Sequence, residues 1–280
     1  MLHILLPTDF SETSYNAITY TMKLYNKVEC TFYLLNTFTP AIYHADYMLV
    51  NPEQFSIYEA YKNDSETNLK ALKEKLEYEL PNYKHELVIH SVFNILIDEV
   101  KDFVNNYKID FIAMGTKGAT GAKEIFLGTH AVHIIRKSKV PVLAIPPNYN
   151  FKPPEKILFP TDYEVAYEKS SMQVLLDIAN DHGSSIDVLH VSYGYDLSEK
   201  QQKNKRLLDN VMVDIPHLFH MYPNQEVIQA ITNFQEKNDT QLLVMIQNKH
   251  TFIERIFIEP IIKKIGYHIT TPFLVMPDID

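Results

Sequence analysis

The sequence predicts an α/β protein built as two tandem domains, each a doubly wound, five-stranded parallel sheet. Three observations predict it. The chain has 280 residues, room for two ordinary domains. Short apolar runs alternate with helically spaced segments from end to end. The second half also repeats the first in register.

The repeat shows in two blocks. Leu2-His3-Ile4-Leu5-Leu6-Pro7-Thr8-Asp9 recurs as Glu155-Lys156-Ile157-Leu158-Phe159-Pro160-Thr161-Asp162, an offset of 153 residues. Asp110-Phe111-Ile112-Ala113-Met114 aligns with Gln241-Leu242-Leu243-Val244-Met245 at an offset of 131, and that register holds without a gap to Pro146 and Pro277. Duplication explains a register kept this long. The offsets differ by 22, so the first copy carries extra residues, placed at Phe38 to Ala60, where Pro40 and Pro52 lie. A polar, proline-containing stretch, Asn148 to Pro154, separates domains at 1–147 and 155–280.

Ile4–Pro7, Thr31–Leu35, Leu87–Val92, Phe111–Met114 and Val142–Ile145 are apolar runs of buried-strand length. Leu69, Leu72, Leu76 and Leu80 lie at helical spacing, as do Ile97, Val100, Phe103 and Val104, and Ile228, Ile231 and Phe234 in the second copy. Strands joined through helices in this order make a doubly wound sheet. The fifth strands, Val142–Ile145 and Phe273–Val275, share one pattern and are expected to pair, making an intramolecular pseudo-dimer. Pairing of two whole chains into a homodimer is left open.

Four of the seven glycines fall between 115 and 128: Gly115, Gly118, Gly121 and Gly128. They follow the fourth strand, at the sheet edge where such folds bind ligands. Glycine permits close backbone approach, and successive N–H groups form an anion-binding concavity. A helix expected from Thr129 to about Lys137 would aim its unpaired N–H groups and its dipole at the same place, favouring a phosphate. Thr129 adds a hydroxyl, and Lys117 and Lys123 could add positive charge. Glycines that merely mark turns are the plainer alternative.

The spacing Gly115-x2-Gly118-x9-Gly128-Thr129, with Pro7-Thr8-Asp9-Phe10-Ser11 before it and Val140-Pro141-Val142-Leu143 after it, resembles the universal stress protein family across both copies. The resemblance implies a Rossmann-like fold of the adenine nucleotide alpha-hydrolase type, and ATP or AMP as ligand, with Mg2+ carried through the phosphates as an option. It implies that Asp9 reads adenine, that Pro7 and Thr8 flank the nucleoside, and that a residue near Thr37 lines the base. Met114 and Gly115 would approach the ribose and phosphates, and Gly118, Gly128, Thr129 and His130 would hold the phosphate chain. His130 departs from the family, where a small or apolar residue is commoner. Asp9 has a plainer reading too, as a helix cap, compatible with the first.

In the second copy, Ile246, Lys249, Phe252, Glu259 and Pro260 stand where the first has Gly115, Gly118, Gly121, Gly128 and Thr129. Bulky residues resist positive φ, proline removes an N–H, and a glutamate would face the phosphates. The second copy is therefore read as degenerate.

The net charge is −9, and neither half is basic: residues 1–150 hold 14 Lys and Arg against 17 Asp and Glu, the rest 12 against 18. Nucleic acid is not an expected partner. The lone Cys30 makes no internal disulfide, the N-terminal apolar run is too short for a signal peptide, and no stretch has the length of a membrane span. The expectation is a cytoplasmic protein. No Walker loop, nucleophile elbow, credible zinc site or general base is evident. The leading function is a nucleotide-responsive stress-response or regulatory binding protein. A weak ATP hydrolase or phosphotransferase is second, and a ligand-free scaffold third. The sequence names no protein partner.

Overall fold

The computed structural model describes residues 1–39, 52–116, 128–192, 196–223, 226–247 and 270–277. The first half runs β1 (Leu2–Pro7), α1 (Glu12–Leu24), β2 (Cys30–Phe38), α2 (Pro52–Glu79), β3 (His85–Phe93), α3 (Leu96–Asn106), β4 (Phe111–Gly115), α4 (Thr129–Lys137) and β5 (Val142–Ile145). The second half runs β6 (Lys156–Pro160), α5 (Lys169–His182), β7 (Ser185–Ser192), α6 (Glu199–Val211), β8 (His217–Pro223), α7 (Val227–Asn238), β9 (Leu242–Gln247) and β10 (Phe273–Pro277).

These strands form one ten-stranded sheet in the order β3-β2-β1-β4-β5-β10-β9-β6-β7-β8. Read outward from the centre, both halves repeat one plan, fifth strand, fourth, first, second, third. Every neighbouring pair is parallel except β5 and β10, which pair antiparallel with Phe273 opposite Ala144, Leu274 opposite Leu143 and Val275 opposite Val142. The fifth strands thus meet, and each covers the edge the other would leave open.

Strand side chains alternate between two cores. Ile4, Leu6, Phe32 and Phe111 pack with α1 and with Leu69 and Leu76 of α2, while Leu5, Leu35, Ile112 and Met114 pack with Val100 and Phe103 of α3 and Ile134 of α4. Both cores cross the β5–β10 seam: Leu143 and Leu274 belong to the first, and Val142, Ala144, Phe273 and Val275 to the second. Near-continuous burial of these strands is what a sheet covered on both faces requires.

Two elements exceed the apolar runs that announced them. β2 continues past Leu35 to Phe38 through the polar Asn36 and Thr37. The extra residues of the first copy go in part into helix: α2 has 28 residues, and its counterpart α6 has 13. The rest of that stretch, 40–51, lies outside the described residues. Lengthening a helix outward leaves the core-facing leucine spacing intact, so Leu69 and Leu76 stay fully buried.

Candidate functional site

Strand order reverses direction between β1 and β4, which are direct neighbours in the register Ile4 to Phe111 and Leu5 to Ile112. Such a switch point opens a crevice at the carboxyl ends of the two strands. The segments that border it are Pro7–Ser11 on one side and Met114–Thr116 on the other.

The first border is a tight, fully bonded turn. Thr8 N–H donates to the Leu35 carbonyl at 2.8 Å and Thr8 Oγ1 accepts the Phe10 N–H at 3.0 Å. Asp9 Oδ1 accepts from Ser11 N at 3.1 Å and from Ser11 Oγ at 2.6 Å. Phe10 sits at φ 63°, a conformation that a bulky side chain adopts only when neighbours impose it. The helix cap is Ser11, whose Oγ accepts the Ser14 N–H at 3.2 Å, so Asp9 is not the cap of α1. Asp9 stays exposed at the crevice, while Pro7 and Thr8 are buried beside it.

On the second border, Gly115 ends β4. A Cβ there would lie 2.7 Å from Thr13 Cγ2 and 3.2 Å from the Thr13 carbonyl oxygen, so glycine lets the first turn of α1 settle onto the strand. Thr116 follows, 1% exposed, its N–H donating to Ile145 O at 2.9 Å and its carbonyl accepting the Gly128 N–H at 2.5 Å. Its Oγ1 is buried and has no hydrogen-bond partner among the described residues.

Gly128 is the N-cap residue of α4, with no side chain to cap the helix. The intrahelical ladder begins with Val132 N–H to the Gly128 carbonyl at 3.0 Å, so the amides of Thr129, His130 and Ala131 precede it. The first turn of α4 holds no acidic residue, and its last turn holds Arg136 and Lys137. Both features suit an anion at the N-terminus. The Thr129 and His130 side chains are exposed.

Of the other expected residues, Met114 is buried in the core shared with α4. Thr37 is half-buried one residue before β2 ends. Gly118 lies outside the described residues, as do Lys117, Gly121, Lys123, Lys249, Phe252, Glu259 and Pro260. Sequence reasoning missed four residues: Thr13, Thr116, and the buried pair Asn36 and Ser65. Only Asn36 left a trace in the sequence, as a polar residue interrupting an apolar strand.

The second half builds the same turn and then fills it. Tyr163 has φ 59° and donates its N–H to Thr161 Oγ1 at 3.0 Å, while Asp162 Oδ1 accepts from Glu164 N at 3.0 Å. Yet Phe10 is 36% exposed and Tyr163 only 1%, its ring stacked on His190 with centroids 5.0 Å apart. α5 starts seven residues after Asp162, whereas α1 starts three after Asp9. Ile246, which stands where the first half has Gly115, is buried in the same core as Tyr163, Val165 and Tyr167. Burial pushes the Asp162 carboxyl above its ordinary value. The contrast predicts unequal costs: Tyr163→Ala is expected to destabilise the protein by about 3–5 kcal/mol and Phe10→Ala by less than about 1 kcal/mol, measured by urea unfolding.

Fold and site together define a doubly wound α/β protein with its crevice at the switch point and a helix N-terminus facing it. A family model described as the Universal stress protein family matches residues 1–146, just over half of the chain. The chain belongs to the universal stress protein family. It is 27% identical over 147 residues to a universal stress protein of Methanocaldococcus jannaschii, an alignment covering 51% of this chain and 80% of that protein. The crystal structure of a universal stress protein from Archaeoglobus fulgidus DSM 4304 matches it with a TM-score of 0.66 and 19% identity, over 98% of this chain and 97% of that one. A functionally unknown protein from Pseudomonas aeruginosa PAO1 matches with a TM-score of 0.61 and 14% identity, over 98% and 92%. At these identities the structural matches speak for the fold. Among the described residues no helix is long and apolar enough to cross a membrane.

Proposed function

We propose that the protein binds one adenine nucleotide, ATP or AMP, at the β1–β4 crevice and works as a nucleotide-responsive stress-response or regulatory binding protein. In this reading residues 1–147 form the binding domain. Residues 155–280 form a second domain whose site has been replaced by core. The antiparallel β5–β10 pair serves as the pseudo-dimer interface within one chain.

The observation that carries the reading is the close of β4 onto α4. A buried hydroxyl without a partner among the described residues, Thr116 Oγ1, stands where the Thr116 carbonyl joins the Gly128 cap, beside three amides ahead of the helical ladder. Those donors fit phosphate oxygens. The Asp9 carboxylate, exposed across the crevice, fits the exocyclic amine of adenine as an acceptor. Thr129 and His130 would meet the phosphates through their N–H groups, and the Thr129 hydroxyl adds a donor. A divalent cation such as Mg2+ would enter through the phosphates.

The test is direct. The purified protein is denatured and any released small molecule is identified by mass spectrometry, then the emptied protein is titrated calorimetrically with ATP and with AMP. One adenine nucleotide per chain is expected. No binding, or two sites per chain, would overturn the reading.

A further inference from the structure

Behind the Thr8–Asp9 turn lies a buried chain of hydrogen bonds that none of the expected site residues enters except Thr8. Asn36 Nδ2 donates to the Thr8 carbonyl at 2.7 Å. Asn36 Oδ1 accepts from Ser65 Oγ at 2.7 Å, and Ser65 Oγ lies 2.7 Å from Ser91 Oγ. Asn36 and Ser65 are 9% and 3% exposed. The direction of this chain has one consistent solution. The Thr8 carbonyl can only accept, so the amide nitrogen faces it and the amide oxygen faces Ser65. Ser65 spends its one proton on that oxygen and so accepts the proton of Ser91.

The chain spans three elements: β2, α2 and β3. It ends on the peptide that carries Asp9. Thr8 itself is held on both sides, since its N–H, in the preceding peptide, donates to Leu35 O at 2.8 Å. The neighbouring Phe10 holds φ 63°, a strained conformation that persists only where surrounding bonds over-determine it. The second half confirms the design with other residues. His190, at the place of Asn36, uses Nδ1 on the Thr161 carbonyl at 2.9 Å, and Asn204 of α6 donates to the Tyr163 carbonyl at 2.8 Å. In each half the helix after the second strand is tied to the turn after the first.

We infer that Asn36, locked by Ser65, is a positioning residue that aims Asp9 at the base, so that selectivity for adenine depends on how α2 docks. The inference rests on the nucleotide reading above. The phosphate donors at α4 lie outside the chain, so loosening it should affect base recognition and leave anion binding alone.

The experiment measures dissociation constants for ATP, GTP and inorganic tripolyphosphate in the unmodified protein, Ser65→Ala, Asn36→Ala and Asn36→His, with a thermal melt of each. Ser65→Ala and Asn36→Ala are expected to weaken ATP about tenfold, the effect of one such hydrogen bond. They should shrink the ATP-to-GTP preference by a similar factor and leave tripolyphosphate within about twofold. Asn36→His is expected to restore the preference, because the second half shows that an imidazole makes the same bond. If Asn36→Ala fails to fold, Ser65→Ala decides alone. An unchanged ATP-to-GTP preference, or ATP and tripolyphosphate weakening together, overturns the positioning role. An unmodified protein that binds no ATP overturns the nucleotide reading itself and this inference with it.

Discussion

A Gly128→Glu variant is expected to bind ATP at least about tenfold more weakly than the unmodified protein while melting at the same temperature or slightly above it. Gly128 sits at φ −60°, which any residue adopts, so the backbone tolerates the change. The new carboxylate stands at the N-terminus of α4, where a negative charge stabilises a helix by about 0.3–1 kcal/mol. The same charge would face the phosphates. Two like charges about 4 Å apart repel by about 4 kcal/mol in a partly buried setting, and 1.4 kcal/mol of that already makes a tenfold loss. Calorimetric titration and a melt on one preparation separate the two effects. Full affinity in Gly128→Glu would show that the phosphates are held elsewhere. A lowered melting temperature would show that the loss is structural. The second half already carries a glutamate, Glu259, at the corresponding sequence position.

Gly115→Ile is expected to damage fold and site together. Even the Cβ of alanine meets Thr13 Cγ2 at 2.7 Å and the Thr13 carbonyl at 3.2 Å. Overpacking of this kind costs about 1–3 kcal/mol for Gly115→Ala and more for isoleucine. The strain is relieved only if the start of α1 moves, and that start is bonded through Ser11 to Asp9, so nucleotide affinity should fall in the same variant. Thr13→Ala removes the nearer contact and should restore part of the stability of Gly115→Ala, leaving the contact with the carbonyl. Urea unfolding of the two single variants and the double variant measures the coupling. Ile246→Gly in the second half should have the opposite cause and a similar size, about 2–5 kcal/mol, since it opens a cavity in a filled core. A fully stable Gly115→Ile protein would mean that α1 does not rest on β4 as described.

Much of this was legible in order of residues alone. Apolar runs marked β4 and β5 to within a residue, because strands buried on both faces leave no room for polar interruptions. The expected helix from Thr129, directly after Gly128, to about Lys137 is α4. The duplication, kept in register, announced one sheet plan used twice. The β2 run was read short because Asn36 and Thr37 break its hydrophobicity. Asn36 is nevertheless buried, since Thr8 and Ser65 satisfy it from 28 and 29 residues away. No local pattern reveals a partner at that distance.

The sequence by itself therefore determined the α/β class, the tandem plan and the glycine-rich stretch after the fourth strand, because each is written in local spacing. Tertiary structure decided the rest. It showed that Gly115 answers to Thr13 rather than to a turn, that Ser11 and not Asp9 caps α1, and that one threonine hydroxyl beside the α4 cap is buried without a partner among the described residues. It also showed why the two halves diverge. Phe10 and Tyr163 share a backbone conformation, but α5 begins four residues later than α1 would require, and Tyr163, Tyr167 and Ile246 are buried where Phe10 is exposed and Gly115 carries no side chain. Whether a crevice stays open or closes into core is set by contacts between elements far apart in the chain, and those exist only once the sheet has formed.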